Sequence, residues 1–322
     1  MKTRKLGKTN IDITPIGLGC WQFSQGAGMI GGVWDTLAQA TMTDIVKTAL
    51  DGGINWFDTA EIYGNGKSEE ALAAALKALG SQPGDVVVAT KWWPLLRTAG
   101  HLVSSVQERQ RVLSPYPIDL LQIHQPMSLS SVEKQAQGLA TLLKDKQVKS
   151  VGVSNFNAKA MRTTHRILAE EGLVLASNQV HYNLAAREIE HDGTLDAAKE
   201  LGITIIAYSP LAQGLLTGRF HTDPAQAAKV HAFRRMRNGL DAKGLAASKP
   251  LIDDLLSIAA RHQAGGTAAT AGQVALNWLV THHGDTVVAI PGASKPKQAF
   301  EAAHALDFTL TSEEQEALAR HV

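Results

Sequence analysis

The segment INWFDTAEIYGNGKSEEALAAALKAL (54–79) holds one complete strand-to-helix unit. It opens on INWFD, an apolar run without the in–out alternation of a half-solvated strand, as expected of a parallel strand covered on both faces. It closes on SEEALAAALKAL, where Ser68, Glu69 and Glu70 supply a helix start and Leu72, Leu76 and Leu79 form one apolar stripe. The unit recurs along the chain. Further candidate strands are IGLGCW (16–21), VVVATK (86–91), DLLQIH (119–124), SVGVS (150–154), SNQVHY (177–182), TIIAYS (204–209) and VVAIPG (287–292). Ser130 with Glu133 reads as a capping box opening a helix along which Val132, Ala136, Leu139 and Leu143 repeat. Further helices are expected over 43–51, 101–113, 158–171, 194–201, 271–281 and 296–304. Eight strands alternating with eight helices predict an α/β chain folded as a (β/α)8 TIM barrel. A doubly wound open sheet carries the same alternation, and periodicity alone does not close the ring.

Three segments stand outside the alternation. Residues 2–14 have turn residues between short β-like pieces and are expected to form an N-terminal β-hairpin that plugs the barrel floor. Residues 22–42 and 212–249 read as long loops on the C-terminal face, the first glycine-rich, the second polar and basic with Arg234, Arg235 and Arg237 together. No low-complexity linker divides the chain, so residues 1–322 are expected to form a single barrel domain.

Composition narrows the function classes. A net charge of +1, with 31 basic against 30 acidic side chains, gives no reason to expect nucleic acid or an anionic membrane as partner. No apolar stretch approaches the roughly 18 residues of a membrane span, and the N-terminus lacks a leader pattern. The single cysteine, Cys20, excludes an intramolecular disulfide framework and suits a reducing cytosol, so a soluble cytoplasmic protein is expected. Two motif matches fail on context. GAGMIG (26–31) has the G-x-G-x-x-G spacing but neither follows a strand directly nor opens a good helix, and GNGKS (64–68) ends like a P-loop with Glu61 where the first glycine is required. No histidine pattern indicates a metal, and His191 and His231 read as solvated.

Asp58, Tyr63, Lys91 and His124 each fall at or just past the C-terminal end of a candidate strand, where a barrel keeps its chemistry. A carbonyl that receives a hydride develops negative charge on oxygen, so a donor must face it. Tyr63 can donate. A nearby ammonium favours the phenolate left behind, Lys91 is placed to provide it, and Asp58 can hold that lysine. A structural ion pair is the alternative for Asp58 and Lys91 taken alone.

In order and spacing the four resemble the catalytic tetrad of the aldo-keto reductase superfamily, and the similarity extends from LGKTNIDITPIGLGCW to IPGASKPKQ, through FDTAEIYG, VGVSNF, NQVHYN and AYSPLAQGLLTG. It is strongest to the branch related to bacterial general-stress reductases and potassium-channel β subunits. This resemblance implies a barrel that binds NADPH in an extended pose at its mouth and reduces aldehydes or ketones, with His124 orienting the carbonyl or relaying the proton. It also implies cofactor contacts from Gly19, Cys20, Trp21 and Asp58, and from Ser154, Asn155 and Gln179 at the nicotinamide carboxamide. Tyr208 would stack on that ring, with Ser209 and Pro210 beside it. Leu211, Gln213, Gly214 and Leu215 would pass the pyrophosphate, Ser294, Lys295 and Gln298 the 2′-phosphate, and Glu301 the adenine. Ala302 departs from the usual asparagine. With Lys297, the cations after the IPG turn predict a preference for NADPH over NADH.

The substrate pocket is expected from Trp21, Tyr63, Trp93, His124 and Met127, the last standing where relatives often carry aspartate. Partners are limited to a small carbonyl substrate and, at most, weak self-association. A nucleotide-sensing regulatory subunit, like the channel β subunits, and a phosphate-binding barrel without nicotinamide are the other readings.

Overall fold

The computed structural model describes residues 1–27, 35–228, 230, 235 and 239–321. A two-stranded hairpin, β1 (Arg4–Lys5) and β2 (Asp12–Ile13), precedes eight parallel strands. These are β3 (Leu18–Gly19), β4 (Trp56–Asp58), β5 (Val87–Trp92), β6 (Leu120–Ile123), β7 (Ser150–Ser154), β8 (Leu175–His181), β9 (Thr204–Tyr208) and, after a small hairpin of β10 (Gln263–Ala264) and β11 (Thr267–Ala268), β12 (Val287–Ala289). Each pairs with its neighbour in chain order, and bridges from Ile16 to Ala289 and Gly19 to Gly292 join the first strand to the last. The ring is closed. Hydrogen bonds from Gly17 N–H to the Ala289 carbonyl (2.9 Å) and from Ala289 N–H to the Pro15 carbonyl (2.9 Å) complete it. This closure separates a barrel from an open sheet.

Strand parity sorts side chains between two cores. Outward residues pack under the helices, while Trp56, Ala89, Leu120, Ile206 and Val288 fill the interior with Leu6 and Ile13 of the hairpin. The hairpin thus plugs the floor. Gly7 N–H donates to Thr204 Oγ1 at 2.7 Å, and the Trp56 indole N–H to the Thr14 carbonyl at 2.9 Å. That indole lies across Gly17, where a Cβ would stand 2.3 Å from the ring, so only glycine fits.

The helices form the outer layer: α1 (Gln39–Asp51), α2 (Lys67–Ala78), α3 (Ala99–Leu113), α4 (Val132–Lys144), α5 (Ala158–Glu170), α6 (Thr194–Leu201), then the single turns α7 (Arg219–Thr222) and α8 (Ala225–Ala228), α9 (Ala242–Ala259), α10 (Ala271–Thr281), α11 (Pro296–Ala303) and α12 (Ser312–Ala319). Side-chain caps, each worth about 1 kcal/mol, start many of them. Asn157 accepts from Ala160 N–H at 2.9 Å, and Thr270 and Gln273 form a reciprocal box.

Three expectations change. The cap of α4 is Ser131, not Ser130, whose hydroxyl instead accepts from Ala99 N–H at 2.9 Å and ties the β5 and β6 loops together. Residues 212–249 are not a plain loop: they carry a 3-10 segment (Ala212–Thr217), α7, α8 and the start of α9. The helix α12 has no counterpart in the sequence reading. The GAGMIG motif lies partly outside the described residues, as do His231, Arg234 and Arg237. Among the described residues no helix is long and apolar enough to cross a membrane.

Candidate active site

The four strand-end residues meet at one mouth. Asp58 closes β4, Lys91 lies near the end of β5 and His124 directly follows β6. Tyr63 is carried by a turn beyond β4, pinned by Tyr63 N–H to the Ala60 carbonyl (3.1 Å) and Ser68 N–H to the Tyr63 carbonyl (3.1 Å). The Lys91 ammonium is hydrogen-bonded to Asp58 Oδ1, to the Thr59 carbonyl at 2.8 Å and to the Tyr63 hydroxyl at 3.5 Å. The side chains of Lys91 and Asp58 are 0% and 2% exposed, so neither charge is answered by water.

Burial pulls the Lys91 ammonium down, but the charge of Asp58 and the hydrogen bonds to Asp58 and Tyr63 together outweigh it and raise the lysine, which stays an ammonium. Burial pushes the Tyr63 phenol up against the opposing pull of Lys91, so it rests protonated. Burial, helped by the Lys91 charge, holds His124 well below its usual range, which leaves a neutral imidazole at pH 7. Trp21 stacks on Tyr63 with ring centres 6.0 Å apart, and His124 meets Tyr63 edge-on at 5.6 Å. Trp93 closes the other side, edge-on to His124 at 5.2 Å. Met127 stands on the rim, 58% exposed, and not in the deep wall. Cys20 is buried, its thiol pushed up by burial, while its backbone N–H bonds the Asp58 carbonyl at 2.8 Å.

Gln122 was missed by the sequence reading. Its amide donates to Asp58 Oδ2 at 3.1 Å, beside Gln179 at 3.0 Å, and Gln179 also donates to Gln122 Oε1 at 3.4 Å. The signal was a polar residue at an inward position of the apolar run DLLQIH. Gln179, expected at the carboxamide, therefore has its amide hydrogens turned to Asp58 and Gln122.

Ser154 and Asn155 do come together with Tyr208. The Tyr208 hydroxyl donates to Asn155 Oδ1 (3.0 Å), and Asn155 Nδ2 donates to Ser154 Oγ (3.1 Å) and the His124 carbonyl (3.3 Å). Tyr208 also stacks on His181 at 5.4 Å. Beyond Ser209 and Pro210, Gly214 has φ 100° and faces the Arg219 guanidinium, 2.6 Å from where a Cβ would be. Arg219 is a second omission. Its Nε is buried without a hydrogen-bond partner among the described residues, a cation whose hydrogen bonding is incomplete. At the start of α11, Gln298 Oε1 accepts from Ser294 N–H (2.8 Å), Ser294 Oγ (3.1 Å) and Lys295 N–H (3.2 Å). Lys297 is exposed, with Glu301 3.7 Å away.

The model of the Aldo/keto reductase family matches residues 15–322. An uncharacterized oxidoreductase of Mycobacterium tuberculosis is 36% identical over 306 residues, covering 95% of this chain and 88% of that protein. The aldo-keto reductase YhdN of Bacillus subtilis is 31% identical, covering 98% and 92%. Among solved structures, an aldo-keto reductase from Klebsiella pneumoniae in complex with NADPH superposes with a TM-score of 0.75 at 25% identity, covering 99% of this chain and 95% of that one.

Proposed function

Because the chain belongs to the aldo/keto reductase family, an NADP-dependent oxidoreductase acting on carbonyls, we propose that it reduces aldehydes or ketones to alcohols with Tyr63 as the general acid. The observation that carries this reading is the buried Lys91 ammonium, bonded at once to Asp58 and to the Tyr63 hydroxyl.

Bound NADPH supplies the hydride. The residues present fit such a cofactor: Arg219, with an unpartnered buried Nε, offers a cation beside the glycine-bearing 211–215 segment where a pyrophosphate would be held. Asn155 and Ser154 offer amide and hydroxyl groups for a carboxamide, with the Tyr208 ring as a stacking face. Ser294, Lys295 and Lys297 at the start of α11 are suited to the 2′-phosphate.

Tyr63 Oη gives its proton to the carbonyl oxygen. The phenolate that results faces the Lys91 ammonium, so its charge forms next to a fixed cation in a site with little water. Asp58 keeps that ammonium in place, and Gln122 and Gln179 keep Asp58 in place. A neutral His124 donates a hydrogen bond to orient the carbonyl and is not the acid. Trp21 and Trp93 give the wall an apolar lining that excludes water.

Tyr63→Phe removes the donor at nearly constant volume. Turnover of an aromatic aldehyde with NADPH should fall about 100-fold or more, with NADPH affinity and melting temperature retained. Undiminished turnover would remove Tyr63 from this role.

A further inference from the structure

We propose that the substrate of this site carries a long, uncharged apolar tail, which lies outside the mouth on a lip formed by Leu95, Leu96, Met127 and Leu129. The inference rests on the carbonyl-reductase reading above and names the substrate class within it. These four are 42%, 77%, 58% and 67% exposed. They make up four of the seven large hydrophobics that stand exposed among the described residues, and all four sit on the two loops after β5 and β6. Scattered exposed leucines need no explanation, but a cluster does.

The two loops form one platform. The Arg97 carbonyl accepts from both Leu129 N–H (2.9 Å) and Ser128 Oγ (2.8 Å). Glu61, from the turn that carries Tyr63, pairs with Arg97 at 2.6 Å and accepts from Trp93 N–H. The lip is therefore fixed to the same turn as the acid and is continuous with Trp93, whose ring meets His124.

Leu96 gives a second, independent observation. Arg97 N–H bonds the Pro94 carbonyl at 3.0 Å, closing a tight turn whose third residue, Leu96, has φ 60°. Glycine suits that position, and a bulky side chain held there is an outlier. It is also solvent-exposed, so packing does not account for it. A strained residue kept at the mouth of a site points to use.

Charge decides the kind of tail. Across residues 93–98 and 125–131 the only charged side chain is Arg97, and it is paired with Glu61. A phosphate or carboxylate would find no free cation there, whereas an alkyl chain would cover apolar surface that water now wets.

The test is a series of linear aldehydes from butanal to decanal, reduced with NADPH by the full-length protein. The parent kcat/KM should rise about two- to fourfold per added methylene once the chain reaches the lip. In Leu96→Gly and in Met127→Ser/Leu129→Ser the decanal-to-butanal ratio should fall at least about tenfold, with melting temperatures close to the parent. A flat series in an active parent, or an unchanged ratio in both variants, overturns the proposal. A parent dimer that the variants dissociate, with a flat series, assigns the lip to a second copy and also overturns it. Failure to reduce any aldehyde overturns instead the reductase reading on which the proposal rests.

Discussion

Replacing Lys91 with Met probes the ion pair that organises the site. In the parent, Asp58 receives Lys91 on one carboxylate oxygen and the amides of Gln122 (3.1 Å) and Gln179 (3.0 Å) on the other. The substitution removes the ammonium but leaves both amide donors. Breaking a buried pair from one side costs about 3–5 kcal/mol, and the surviving charge-assisted bonds place this case near the lower end, about 3 kcal/mol. Unfolding entropy near 2.1 cal/mol/K per residue gives about 0.7 kcal/mol/K for 322 residues, so the melting temperature should drop by about 4 °C. The double variant Asp58→Asn/Lys91→Met carries neither charge and should recover to within about 1 kcal/mol of the parent. Both variants should lose reduction. Chemical denaturation followed by tryptophan emission, arranged as a double-mutant cycle, should give a coupling of about 2 kcal/mol or more. A single variant as stable as the parent, or a double variant less stable than the single, refutes the reasoning.

Tyr208 tests the cofactor face: Tyr208→Ala should weaken NADPH binding by about 1 kcal/mol or more through lost stacking. Tyr208→Phe should be mild, because the stacking ring is kept and Asn155 Oδ1, freed of its donor, can accept from the carboxamide; fluorescence titration of both variants checks this, and parent-like binding by both would make Tyr208 a packing residue. Glu69 is buried between Thr90 and Arg109, and burial, outweighing Arg109, raises it from 4.5 to about 7. A carboxyl raised on folding contributes stability that is complete below pH 4.5 and lost as pH climbs through about 7, by about 3 kcal/mol for this shift. Relative to Glu69→Gln, the parent should therefore lose about that much between pH 4.5 and 8; a difference independent of pH would show that Glu69 is ionised throughout.

Much of this molecule was legible in the chain because the information is local. Continuous apolar runs marked the strands, and SVGVS (150–154) and the helix 194–201 matched their observed bounds. The capping error at Ser130 arose because two adjacent serines carry the same local signal, and only the approach of Ala99 draws one of them away. The helical content of 212–249 was hidden by polar composition and by Pro250, which sits inside α9 and reads as a breaker. Gln122 and Arg219 were passed over because neither residue type declares a role until its neighbours are in place.

The sequence by itself determined the strand-to-helix repeat, the floor hairpin and the residue types at the strand ends, since hydrophobic period and turn chemistry act over a few residues. Tertiary structure alone decided that the repeat closes into a ring, through backbone bonds between residues 17 and 289. It also decided that one carboxylate, Asp58, is shared by partners 33, 64 and 121 positions away. The apolar lip likewise exists only where the loops after two neighbouring strands are stitched at Arg97. Each of these depends on which strand ends point inward at the same height of a closed barrel, and no local pattern encodes that.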